Sequence, residues 1–88
     1  MKIDRAFVRD VPQSPDATRI LRAMIVFGKT LNLSIVIEGI ETLEQAKLCR
    51  EFGADYLQGY FFAKPLAAEA FAELLKSSVS EQWKLALN

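Results

Sequence analysis

No histidine occurs in this chain, and cysteine occurs once. The first absence removes imidazole as a general base and as a metal ligand. A single thiol, Cys49, excludes an internal disulfide and any metal site built from several cysteines. It lies in a helical pattern, where a small apolar packing residue is expected. Charge of one sign is missing too: 11 Lys and Arg balance 11 Asp and Glu. That balance leaves no electrostatic case for a nucleic acid polymer or an anionic membrane surface. No apolar run approaches the roughly 20 residues that a membrane span needs. Met1-Lys2-Ile3-Asp4 places an acid where the apolar core of a signal peptide would begin, so a cytoplasmic setting is expected. No G-x-G-x-x-G follows any strand pattern, which removes support for a dinucleotide fold.

What the 88 residues do contain is a regular alternation. Met1 to Asp4 is short and extended in character. Pro12-Gln13-Ser14-Pro15 is a breaker, and Asp16 is the expected N-cap of the following helix. Ile20, Leu21, Met24, Ile25, Phe27 and Leu31 form one broad apolar stripe at helical spacing, and Asn32 suits the C-cap. Ser34 to Glu38 is β-branched without alternation, as in a strand buried on both faces. Thr42 and Gln45 make a capping-box pattern that opens a second helix, and Gly53 ends it. Ala54 to Tyr60 is a third strand pattern, and Phe61 to Pro65 a loop. Ala67 to Ser77 is a helix packing Ala70, Phe71, Leu74 and Leu75. Ser80 caps a last short helix over Glu81 to Leu87, which carries Trp83.

The predicted order is β-α-β-α-β-α-α, a parallel α/β arrangement. In such folds function gathers at the carboxyl ends of the strands. Lys2 and Asp4, Glu38 and Glu41, and Gln58 all fall at those ends. Glu38-Gly39-Ile40-Glu41-Thr42 is the most pointed segment. A carboxylate at the end of an apolar strand is not needed for packing. Two acids three residues apart on a strand-to-helix loop suit metal, water or phosphate chemistry.

Three segments together resemble one family. Lys2-Ile3-Asp4 with Phe7-Val8 is similar to the K-I-D-x-x-F-V stretch of the EAL domain. Glu38-Gly39-Ile40-Glu41-Thr42 with Glu44-Gln45 resembles its E-G-V-E-T-x-E-Q motif. The run from Gly53 through Leu66 resembles its G-x-D-x-x-Q-G-Y-x-F-x-K-P-L signature. The resemblance implies residues 1–88 as the carboxyl-terminal part of an EAL domain, with the helix near 80–87 as an extension. The implied fold is the last three strands of a TIM-like barrel, a fold of about 250 residues when complete. It also implies hydrolysis of the bacterial messenger cyclic di-GMP to linear pGpG with Mg²⁺ or Mn²⁺.

The resemblance implies roles for single residues. Lys2 would hydrogen-bond the attacking water or a phosphate oxygen. Glu38 would lie at the metal centre and help activate that water. Glu41 would steady the loop that organises the metal site, though an acid in a helix first turn is also favoured by the helix dipole. Gln58 would floor the phosphate site, or serve as a structural amide. Phe62 and Pro65 would border a guanine, while Tyr60-Phe61-Phe62 also suits core and barrel rim. Arg5 and Arg9 are expected in solvent.

The departures are equally informative. The E-A-L tripeptide, the metal-binding Asn, a mid-barrel Glu and D-D-F-G are absent. Ile37 stands where Ala is common, Ile40 for Val and Ala63 for Ser. Glu38 alone provides an incomplete metal site, so no bound metal and no activity are expected of the chain by itself. The alternative is a non-catalytic module that binds cyclic di-GMP, docks on a protein or self-associates. Unpaired sheet edges make a homo-oligomer the expected state.

Overall fold

A computed structural model of the chain describes residues 1–59 and 65–77. The helix expected over Glu81 to Leu87, Trp83 with it, and the Tyr60-Phe61-Phe62 run lie outside the described residues. Strand β1 (Lys2–Ile3) is followed by a 3-10 turn at Arg5–Phe7 and helix α1 (Pro15–Thr30). Then come β2 (Val36–Ile40), α2 (Leu43–Phe52), β3 (Tyr56–Gly59), β4 (Leu66–Ala67) and α3 (Ala68–Ser77). The sheet order is β1-β2-β3-β4. The first three strands are parallel, as the alternation predicts, with Ile3 opposite Ile37 and Ile37 opposite Leu57.

β4 corrects the expected loop-then-helix ending. It pairs antiparallel with β3, with Tyr56 opposite Ala67 and Leu57 opposite Leu66. Two residues directly after Pro65 are too short a run to carry a strand signal. The Ala68 amide donates to the Asp55 carbonyl at 3.1 Å, so the ladder leads straight into α3.

Helix ends follow local chemistry. Ser14, not Asp16, caps α1: its hydroxyl accepts from the Ala17 amide at 3.1 Å. Pro15 then takes the first helical position, where its missing N–H costs nothing. Asp16 falls in the first turn, favourably placed for the dipole. At the other end Asn32 is left-handed, with φ of 61°. Leu33 N–H donates to Gly28 and Asn32 N–H to Lys29, closing a Schellman motif one residue past the Leu31 cap. The capping box of α2 forms as read, between Thr42 and Gln45.

The core lies between the helices and one sheet face. Ile3, Ile37 and Leu57 make a buried row across β1, β2 and β3. Leu21 and Ile25 from α1, Ala46 and Cys49 from α2, and Phe71 from α3 close over it. Burial pushes the Cys49 thiol up to about 12, which leaves it unreactive at neutral pH. Val36 and Glu38 on the opposite face are only half-buried, so β2 is not sealed on both sides as its composition suggested. The α1 stripe is also split. Leu21 and Ile25 are buried, whereas Ile20, Phe27 and Leu31 are 52%, 62% and 53% exposed. Ala70 of α3 is likewise exposed rather than packed.

Asp55 ties three elements together. Its carboxylate accepts from the Ile35 amide at 2.8 Å and from Lys29 Nζ at 2.9 Å. The Ile35 amide and then Lys29 hold its pKa below the ordinary 3.8. A lowered carboxylate pKa adds stability above the unfolded value, and that stability disappears as pH falls through the folded value. Asp55→Asn is therefore expected to lower stability at neutral pH and to flatten the acid limb below about pH 4. Urea unfolding of both proteins near neutrality and near pH 3 measures this; parallel pH profiles would contradict it.

Candidate active-site face at the strand ends

The site is built by a break in β2. Between Ile37 and Ile40 the register with β3 slips, since Ile37 faces Leu57 while Ile40 faces Gly59. Glu38 and Gly39 therefore stand opposite Gln58 alone, as in a β-bulge, a device that re-aims a side chain beside a site. Gly39 makes the bulge possible with φ of 79°. A Cβ there would lie 2.2 Å from the Arg5 Cβ, so the segment after β1 runs hard against it.

Ile3, Ile37 and Leu57 point into the core, so their neighbours Lys2, Glu38 and Gln58 point to the opposite face. There Lys2 Nζ stands 3.6 Å from Glu38 Oε2, with the two side chains 67% and 30% exposed. A water molecule held between the two can be oriented by the ammonium and give its proton to the carboxylate. The ammonium can also face a phosphate oxygen. Gln58 on β3 adds an amide to the same face.

Glu41 stands apart from this group. With Asp4, Arg5, Ala6 and Arg9 it lines a cleft of about 440 Å³ beyond the ends of β1 and β2. Arg5 and Arg9, expected to be merely solvated, thus help to form a concavity. Their spacing of four in a turn after a strand end was the available signal. Asp4, given no role from the motif, caps the 3-10 turn by accepting from the Ala6 amide at 3.0 Å.

One buried amide joins the two loops. Gln45 Oε1 accepts from the Glu41 and Thr42 amides at 2.8 and 3.2 Å. Its Nε2 donates to the Val8 and Val11 carbonyls at 3.1 and 3.0 Å. The backbone of Glu41 is thereby fixed relative to the segment that follows Lys2 and Asp4. Pro65 is exposed ahead of β4, and Phe62 lies outside the described residues.

The donor set does not fit a divalent metal centre on its own. Among the described residues no group of three or more carboxylate, thiol or imidazole side chains converges, and Glu38 faces the Lys2 ammonium instead. Among the same residues no helix is long and apolar enough to cross a membrane.

Comparison with known proteins identifies the family. The EAL domain family profile matches residues 1–65. The probable cyclic di-GMP phosphodiesterase PdeN of Escherichia coli is 36% identical over 83 residues, covering 94% of this chain and 16% of PdeN. The cyclic di-GMP phosphodiesterase NbdA of Pseudomonas aeruginosa is 38% identical over 77 residues, covering 88% of this chain and 10% of NbdA. Among solved structures, the MucR phosphodiesterase in its c-di-GMP complex superposes with a TM-score of 0.64 at 38% identity. That match covers 80% of this chain and 28% of the MucR chain. The EAL domain of Mycobacterium smegmatis DcpA gives 0.63 at 34% identity, covering 89% of this chain and 35% of that one. The chain thus spans about a third or less of each of these proteins, and it belongs to the EAL domain family, of whose domain it covers only a part.

Proposed function

We propose that this chain is the carboxyl-terminal part of a metal-dependent cyclic di-GMP phosphodiesterase that forms linear pGpG. The observation that carries the reading is the Lys2–Glu38 pair, placed by the bulge on a polar face at the strand ends. In this reading Glu38 takes the proton of the attacking water, and Lys2 holds that water or a phosphate oxygen. Gln58 floors the phosphate site, Phe62 and Pro65 border a guanine, and Glu41 steadies its loop. The Mg²⁺ or Mn²⁺ of the intact domain needs ligands beyond the Glu38 carboxylate, so the chain by itself is inactive.

Two measurements test the assignment. Purified chain incubated with cyclic di-GMP and Mn²⁺ is expected to form no pGpG; turnover abolished by Glu38→Gln would overturn the claim of inactivity. In an intact domain carrying this segment, Glu38→Ala and Lys2→Ala are expected to cut turnover by roughly 100-fold or more. Substrate affinity should change far less, because a group that activates water acts mainly in the transition state. Loss confined to affinity would reassign both residues. The second reading is a non-catalytic module, favoured by the absence of a convergent ligand set among the described residues.

A further inference from the structure

We infer that Gln45 is a positioning residue for the Lys2–Glu38 pair. Its buried amide sets the segment after β1 against the loop after β2, and so fixes where the two side chains meet. The inference rests on the functional reading above and adds to that site a residue that touches neither water nor substrate.

The choice of glutamine at position 45 is informative. A capping box needs only an acceptor there, and glutamate serves as well as glutamine. Glutamate would also suit the positive end of the α2 dipole. Yet residue 45 is 5% exposed, and among the described residues it is the only polar side chain in the buried core. An ionised carboxylate can only accept hydrogen bonds. It would set negative oxygen against the Val8 and Val11 carbonyls, which lie 3.1 and 3.0 Å from Nε2. The amide donates to both instead. The half of the side chain that capping leaves unused is thus bonded to residues 37 and 34 positions earlier.

Those residues belong to the segment that leaves β1. The β1–β2 ladder reaches only as far as Ile3 and Ile37. Glu38 comes next, and Gly39 after it has φ of 79° and no Cβ to limit rotation. The direction of the Glu38 side chain therefore depends on what holds the chain on the far side of Gly39. Ile40 is held toward β3 by its pairing with Gly59. Glu41 is held through Gln45 to Val8 and Val11, on the β1 side that carries Lys2. The Val8 and Val11 side chains are wholly buried, so the far end of this tie is itself fixed in the core. A buried polar group with every bond made specifies one arrangement of the segments it joins. Displacing a reacting group by 1 Å can cost about 100-fold in rate.

Gln45→Glu, in an intact domain carrying this segment, is the test. It keeps the cap, because a carboxylate still accepts from the Glu41 and Thr42 amides, and it removes both donations to Val8 and Val11. Turnover of cyclic di-GMP is expected to fall by about 10- to 100-fold, with KM changed less than about 3-fold. Gln45→Met, which adds no charge, is expected to give the same split. Asp55→Asn loosens the amino-terminal end of β3, away from the site, and should leave kcat within about 2-fold. All variants are compared at a temperature where circular dichroism shows them folded. In a Glu38→Ala background, Gln45→Glu should lower turnover by less than about 2-fold, since the group to be positioned is gone. A merely structural role would instead give the same loss in both backgrounds. That outcome, an unchanged kcat in the folded variants, or a loss confined to KM overturns the inference alone. If Glu38→Ala itself leaves turnover intact, the functional reading fails and the inference falls with it.

Discussion

Gly39→Ala is expected to destabilise this chain by about 2 to 5 kcal/mol, a large share of the stability of a small domain. Two costs add. The backbone at Gly39 has φ of 79°, where a residue with a Cβ loses about 1 to 2 kcal/mol. The new methyl carbon would also sit 2.2 Å from the Arg5 Cβ and 3.0 Å from its Cα. Backbone beside backbone cannot swing aside, so the strand or the 3-10 turn must move, at a further 1 to 3 kcal/mol or so. A small domain holds about 5 to 15 kcal/mol in all. Urea or thermal unfolding followed by far-UV circular dichroism measures the loss. An unfolding midpoint within experimental error of the parent would show that the bulge does not need its glycine.

Gln45→Leu is expected to have a comparable effect for a different reason. Leucine keeps most of the volume but satisfies none of the four backbone groups that Gln45 serves. The Val11 carbonyl and the Glu41 and Thr42 amides would lose this partner at once, while the Val8 carbonyl would keep its bond from the Val11 amide. Gln45 is only 5% exposed, so water reaches few of those groups without rearrangement. A buried polar group left unpaired costs about 1 to 3 kcal/mol, and the combined loss is expected at about 3 kcal/mol or more. Amide hydrogen exchange separates this from a general loss of packing. Glu41 and Thr42 should exchange faster than Leu57 in the sheet, relative to the parent protein. Equal acceleration at all three would refute the idea of a local clasp.

The sequence was most legible where one residue type performs one local task. Thr42 and Gln45 announce a capping box, Gly53 a helix end, and Ile35-Val36-Ile37 a strand; all three occur, although the strand begins at Val36 and is buried on one face only. The first cap was misplaced by two residues, because Ser14 and Asp16 are both good N-caps. Only the fit of Pro15 to the first helical position separates them. The extent of burial was less legible. Periodicity identifies an apolar stripe but not its width, and Ile20, Phe27 and Leu31 extend past what this chain covers. Within the candidate site, Lys2, Glu38 and Gln58 were readable as strand-end residues. Their shared face follows from the Ile3, Ile37 and Leu57 row, which needs strand register. The cleft formed by Asp4, Arg5, Arg9 and Glu41 was not readable, since it depends on how two loops fold past each other. Gln45 was visible only as half of a cap. Its reach to Val8 and Val11, more than thirty positions earlier, has no local signature.

The antiparallel β4 gives the sheet two unlike ends. Three strands run parallel from β1 to β3, and β3 is then flanked by a strand of two residues that runs the opposite way. A very short terminal strand is a poor template for further pairing. The bond from the Ala68 amide to the Asp55 carbonyl turns the chain from that strand directly into α3. The β3 side of the sheet is thereby blunted against edge-to-edge association.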